Sequence, residues 1–364
     1  MGYFTVIAAA LIVLTAALLL SADSSTAKLI KHHNHHHHHS EEQCDVSDGK
    51  WVHDSAYPLY NAMKCPFIDK PFNCIKNGRR NREYQKYRWQ PHHCNIPRWN
   101  GTDFLMKIRS KKVMFVGDSM SLNQFQSLIC MIHSANPHFN HTYSRKGAVS
   151  TFKIPALKIS ISFLRNALLV DLIKVGNKRV LKLDSVQKSA AAWKGNDILI
   201  FDSWHWWLHS GRKQMWDEIQ FGKVKVKDMT RLVAYEIGLQ TWARWVHKNV
   251  DSKRVRIFFQ GVSPDHDSGR EWGQPNATHC IAEQRPLTLQ AYPGGPHPAD
   301  VVLNRVLKGL KKRVHLLNIS KLSQFRVDGH PHIYVTASRR AIDCTHWCLP
   351  GVPDIWNQLL YAFL

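Results

Sequence analysis

The stretch VMFVGDSMSLNQ, residues 113–124, closes an apolar run with Gly-Asp-Ser and opens a helical pattern. Ser119 is therefore either the N-cap of that helix, a position serine favours, or a nucleophile. A serine hydroxyl becomes nucleophilic only beside a base, and the base needs an orienting group. The segment AIDCTHWCLPG, residues 341–351, offers both. Asp343 and His346 lie three apart, which on a turn or first helical turn puts both side chains on one side. The chain has 23 histidines, so one Asp–His pair is a weak signal by itself. Cys344 and Cys348 flank this one, and disulfides there would lock the loop in a fixed geometry. Ser119, His346 and Asp343 together suit acyl transfer. No metal is expected: Cys344 and Cys348 lie four apart, but the nearest second pair, Cys65 and Cys74, lies nine apart, a poor zinc spacing. A third segment, ILIFDSWHWWLHSG at 198–211, follows an apolar run with Trp204, His205, Trp206 and Trp207. Core packing competes here with a stacking platform for sugar rings, and we expect a mixture.

These residues need a scaffold. Short apolar runs at Val113–Val116, Ile159–Phe163, Ile198–Phe201 and Val255–Gln260, with a weaker one at Val314–Leu317, read as buried strands. Helical patterns lie between them at 120–133, 229–249, 299–310 and 354–363. The alternation predicts an α/β fold, a mostly parallel sheet covered by helices on both faces. Ser119 then falls at the carboxyl end of a central strand, where open α/β sheets place their sites. Gly117 permits the tight turn, and a helix N-terminus favours developing negative charge. Residues 44–99 hold four cysteines and little helical periodicity. They read as a loop-rich, disulfide-stapled region packed on the domain at 100–364. Residues 23–43, with HHNHHHHH at 32–39, read as a His-rich disordered stalk.

Compartment follows from the N-terminus and the cysteines. Residues 3–22 carry no charge, so 1–22 is either a secretory signal peptide or a signal anchor. Either sends the chain into the secretory lumen. Asn100, Asn140, Asn276 and Asn318 begin glycosylation sequons. Eight cysteines fit four disulfides in an oxidising compartment. Lys plus Arg number 49 against 27 acidic residues, a net charge of +22. Such a charge seeks a polyanion. In a lumen nucleic acid is excluded, and an acidic glycan or a membrane surface remains.

Gly-Asp-Ser at Ser119 and Asp343-x-x-His346 resemble the first and last blocks of the SGNH/GDSL hydrolases. CDVSDGKWVHDSAYPLYNAMKCPFI, NGRRNREYQKYRWQPHHC, GDSMSLNQFQSL, FDSWHWW and DCTHWCLPGVPDIWN together resemble the plant trichome-birefringence-like family (the Pmr5 type) over residues 44–364. That resemblance implies a Golgi membrane polysaccharide O-acetyltransferase, single-pass with a lumenal catalytic domain, or alternatively a protein secreted to the cell wall. Xylan or acidic pectin would accept acetyl from a donor, acetyl-CoA or an acetylated intermediate, with no bound cofactor. It implies Ser119 as nucleophile, His346 as general base and acid, and Asp343 as its orienting group. Gly117, Asp118, Asn123 and Asp202 would be oxyanion or secondary residues. Two positions depart from the family pattern: Leu122 stands where many relatives have Arg, and Asp202 where many have Asn. An ionised Asp donates no hydrogen bond to an oxyanion. The Gly-Asn-Asp at 195–197 precedes its strand and is a decoy for that block. The family pattern further implies the bridges Cys44–Cys94, Cys65–Cys130, Cys74–Cys348 and Cys280–Cys344. The rival readings are an acetylesterase, with water as acceptor, and a non-catalytic glycan-binding protein, against which the intact Ser119, Asp343 and His346 argue.

Overall fold

The computed structural model describes residues 45–364, except 281–283, 311–312 and 339–340. The expected anchor or signal segment, the stalk and Cys44 lie outside the described residues. Strands β1 (Gly49–His53) and β2 (Tyr87–Pro91) pair as a small antiparallel ribbon. The main chain of the fold continues through α1 (Gly101–Lys107), β3 (Lys112–Gly117) and α2 (Ser119–Ala135). Next come β4 (Thr142–Lys146), β5 (Val149–Ile154), β6 (Ile159–Arg165), β7 (Asp171–Val175), β8 (Lys178–Lys182), α3 (Gln187–Ala190) and β9 (Ile198–Phe201). The chain ends with β10 (Glu218–Phe221), β11 (Val224–Val226), α4 (Arg231–Asn249), β12 (Arg256–Gln260), α5 (Pro298–Lys308), β13 (Val314–Leu317), α6 (Ser320–Gln324) and α7 (Val352–Ala362).

The central sheet has the order β13-β12-β9-β3-β6-β5-β4. The five expected strands form its parallel run. The antiparallel hairpin β4–β5 extends one edge, and a separate four-stranded sheet runs β11-β10-β8-β7. Strand β3 shows why the sheet is covered on both faces. Val113 and Phe115 join a core with Phe125 of α2 and Trp356 of α7. Met114 and Val116 join another with Trp242 of α4 and Leu303 of α5. Period-two alternation thus buries both sides of a nearly all-apolar strand.

Two connections leave β3 and β9 in opposite directions, so the crevice between their carboxyl ends is the switch point of the sheet. Ser119 follows β3 there, and Asp202 follows β9.

Candidate active site

Ser119 is the first residue of α2, but it is not the N-cap. That place belongs to Asp118, whose Oδ1 accepts the Met120 N–H at 2.8 Å. The correction matters chemically. A capping serine would spend its hydroxyl on the helix, and the aspartate frees it. The Ser119 N–H, an N1 donor with no intrahelical partner, makes no hydrogen bond among the described residues.

The freed Oγ lies 2.7 Å from Nε2 of His346, and Nδ1 of His346 lies 2.7 Å from Oδ2 of Asp343. The other carboxylate oxygen accepts the backbone N–H groups of Thr345 (3.1 Å) and His346 (2.9 Å). Burial works to raise the Asp343 carboxyl. The His346 ring and these two amides outweigh it and hold the group at about 2. An Asp343 ionised at neutral pH fixes the tautomer that leaves Nε2 free to take the serine proton. The structure therefore brings Ser119 to Asp343 and His346, from which the sequence separates it by more than two hundred positions.

The loop around His346 is gripped on every side. Cys344 bridges to Cys280 and Cys348 to Cys74, while Cys65 bridges to Cys130 within α2. These are three of the implied pairs. Cys94 is disulfide-bonded as well, and its expected partner Cys44 lies outside the described residues. The loop pairs with its neighbour through His332 N–H to Asp343 O (2.8 Å) and Cys348 N–H to Gly329 O (3.0 Å). Buried His330, pushed down to about 4 by burial, is neutral and donates its Nδ1–H to the His346 carbonyl at 2.7 Å. Its Nε2 faces Nδ1 of His266 at 2.6 Å. Phe72, from the cysteine-rich region, packs its ring 5.4 Å from the His346 ring. The Phe72 carbonyl accepts the Leu349 N–H.

The secondary residues take places of their own. Asn123 is not an oxyanion donor: its Oδ1 accepts the Trp347 N–H at 2.9 Å and its Nδ2 donates to the Trp347 carbonyl at 3.1 Å. Gly117 is required by contact. A Cβ there would meet the Asp202 carbonyl at 2.7 Å and its carboxyl at 2.9 Å. Asp202 is fully buried, and its Oδ2 lies 3.4 Å from the Asp118 N–H. Burial, then the negative charge of Asp118, push Asp202 well above the carboxylate range, which favours its neutral form. Its carboxyl faces Gly117 and Asp118 rather than the crevice. The Gly195-Asn196-Asp197 block lies at the opposite end of β9, with the Asn196 amide on the Ala192 and Trp193 carbonyls. Leu122 is buried in α2.

The aromatic block is mostly core. Trp204 and Trp207 are buried, Trp207 with its indole N–H on Ser203 at 2.9 Å. His205 is buried too. None of the three offers a face to a sugar. Trp206 alone of the four is half-exposed, beside His209 at a ring distance of 4.7 Å. The sequon residues Asn100, Asn140, Asn276 and Asn318 are exposed. Asn100 also caps α1. No described helix is long and apolar enough to cross a membrane.

Sequence reading missed Phe72, Asp265, His266 and His330. One signal was present for the histidine and aspartate at 265–266: they follow the apolar run of β12, at the same carboxyl edge as Ser119.

Fold and geometry define a class, an α/β protein with a serine, histidine and aspartate in hydrogen-bonded series at the sheet's switch point. Sequence comparison agrees. The GDSL/SGNH-like acyl-esterase family found in Pmr5 and Cas1p matches residues 96–363, and the Pmr5 N-terminal domain matches 42–95. Trichome birefringence-like 43 of Arabidopsis thaliana is 52% identical over 324 residues, 88% of each chain. Trichome birefringence-like 38 of the same plant is 48% identical over 321 residues, 88% of this chain and 84% of its own. Trichome birefringence-like 40 is 48% identical over 322 residues, 88% of each. The chain belongs to the trichome birefringence-like family, with an SGNH-like acyl-esterase domain.

Proposed function

We propose that the protein is an O-acetyltransferase that acetylates a hydroxyl of a cell-wall polysaccharide, xylan or pectin, through an acetyl-serine. The observation that carries the reading is the unbroken series Asp343–His346–Ser119, with both links at 2.7 Å. Ser119 Oγ attacks the donor's acetyl carbonyl while His346 takes its proton. The tetrahedral oxyanion forms beside the unpaired Ser119 N–H at the start of α2. His346 returns the proton to the departing donor and leaves acetyl-Ser119. A sugar hydroxyl then attacks that ester, His346 takes its proton and gives it back to Ser119. Asp343 steadies the imidazolium in both halves. Golgi retention by the N-terminal segment fits this reading. The net charge of +22 supports an acidic polymer, pectin or a uronate-bearing xylan, as acceptor.

A second reading, the acetylesterase, is favoured by one observation: the His346 side chain is 26% exposed, so water reaches the base. The same acetyl-serine then passes its acyl group to water. Full-length protein is incubated with an acetyl donor and defined xylan or galacturonan oligosaccharides, beside an acetylated oligosaccharide in water. Acetyl gained by the oligosaccharide supports transfer, and acetate release alone supports the esterase. Unchanged activity in Ser119→Ala would overturn both.

A further inference from the structure

We propose that His205 is a positioning residue: held between Asp118 and Asp265, it locks the turn that carries Ser119 to the loop that carries His346. The geometry is a second chain of alternating charge behind the first. His205 Nδ1 lies 3.8 Å from Asp118 Oδ2, and Nε2 lies 3.2 Å from Asp265 Oδ1. Asp118 immediately precedes Ser119 and caps the first turn of α2 with its other oxygen. Asp265 precedes His266, whose backbone N–H donates to the Cys344 carbonyl at 3.0 Å, two residues before His346. One chain joins Ser119 to Asp343 through His346, and the other joins the residue before Ser119 to a segment bonded to the His346 loop.

The charges on this second chain follow from its surroundings. Burial opposes an imidazolium at His205, but Asp265 and Asp118 outweigh it and raise the ring well above its ordinary value. Burial likewise opposes charge on Asp118, and His205 overrides it to hold that carboxyl at about 2. Asp265 also lies below the usual range, burial being outweighed by His205. Other titratable groups surround it. Asp202 is pushed well above the carboxylate range. Asp267 and Glu271, near Asp265, are both raised by burial and then by the Asp265 charge. His297 is pushed down to about 4 by burial and the His205 charge. His209 is lowered by burial, then Lys213 and His205. The chain is thus one buried cation between two anions. Removing the cation leaves Asp118 facing an uncompensated neighbourhood at the residue before the nucleophile.

This role rests on the proposed function only for its activity readout, so the test has two arms. The first needs no activity. In full-length Ser119→Ala protein with 15N-labelled histidine, the His205 ring, assigned by its loss in His205→Asn, gives up its second proton at a higher pH than the exposed histidines of the chain. A ring that loses it with them or before them overturns the proposal. The second arm measures the rate at which a fluorophosphonate modifies Ser119. His205→Asn slows modification by about a hundredfold, the effect of a small misplacement of reacting groups. In His205→Asn/Asp265→Asn the cation and one of its anions leave together, and part of the lost rate returns. A rate within twofold of wild type, or a double variant as slow as the single one in protein that unfolds normally, overturns the proposal. Should His205→Asn not fold, Asp265→Asn, whose side chain is 32% exposed, carries the rate test. A reactivity equal to wild type there is equally fatal. If wild-type Ser119 resists the probe, the nucleophile assignment falls, and the first arm still decides on His205.

Discussion

Asn123 holds Trp347 by both ends of its carboxamide, accepting the backbone N–H at 2.9 Å and donating to the carbonyl at 3.1 Å. The pairing copies one rung of a β-ladder with a side chain. It ties α2, which begins at Ser119, to the residue after His346. The nucleophile and its base are thereby set at a fixed separation by a contact that neither of them makes.

Replacing that clamp exposes its worth. Asn123→Ala leaves two buried backbone groups of Trp347 without partners, at about 1–3 kcal/mol each. Asn123→Asp keeps the acceptor but turns a second acceptor toward the Trp347 carbonyl, so it is not a rescue. Denaturant midpoints and acetyl turnover check this. Both fall in each variant, and turnover near wild type in Asn123→Ala sinks the assignment.

Asp202→Asn should be nearly silent. The residue, raised toward its neutral form, is pressed against Asp118 and Gly117, and an amide has the same shape and also donates. Stability within about 1 kcal/mol and activity within a few fold follow, because an isosteric replacement keeps the hydrogen bond. Asp202→Ala loses the partner of Asp118 and is damaging. If Asp202→Asn abolishes activity in folded protein, Asp202 reacts as a charged group and the neutral reading is wrong.

What the sequence made legible was local. The five parallel strands are short apolar runs because both their faces are buried, and Asp343 with His346 is a three-residue spacing. The hairpin β4–β5 and the sheet β7–β8–β10–β11 escaped because their strands are half-exposed and rich in Lys and Arg, such as TYSRK and KRVLK. Ser119 as first helical residue was legible, but Asp118 as the cap was not, since either residue type caps well. Trp204, Trp207 and His205 show a further limit. Composition marks a block as aromatic without saying which rings face inward. The role of Asn123 depends on a contact across 224 residues, for which no periodic pattern exists.

The bridge Cys280–Cys344 acts on the site more than on the core. It closes a span of 64 residues and enters the loop between Asp343 and His346. Replacing both cysteines by alanine costs about 2–5 kcal/mol of stability, and turnover falls further than the remaining folded fraction explains. The check is turnover per folded molecule at 10 °C below the unfolding midpoint. Equal specific turnover would mean that the backbone bonds of Asp343 and Cys348 hold the loop unaided.

Asp354 sets a pH dependence of stability that is independent of the site chemistry. Its carboxylate region is fully buried among the hydroxyls of Ser127 (2.6 Å) and Tyr60 (3.1 Å) and the Gly351 N–H (2.9 Å). Burial pushes it up to about 7 against those bonds. The sign follows from proton binding. Between the unfolded value, about 4, and about 7, the folded chain keeps a proton that the unfolded chain has released. Stability therefore declines as pH rises through that window. The decline ends above about 7, where both states are ionised. Asp343 acts oppositely and lower: its folded value of about 2 contributes stability present above about 4 and lost as pH falls toward 2. Asp354→Asn removes its share of the first slope, leaving that of Asp202 and Asp300, and leaves the second. Urea midpoints measured from pH 4.5 to 8 in wild type and Asp354→Asn are expected to converge toward the acid end of the window. Parallel curves would show that Asp354 is ionised throughout and that its hydrogen bonds, not its burial, set its charge.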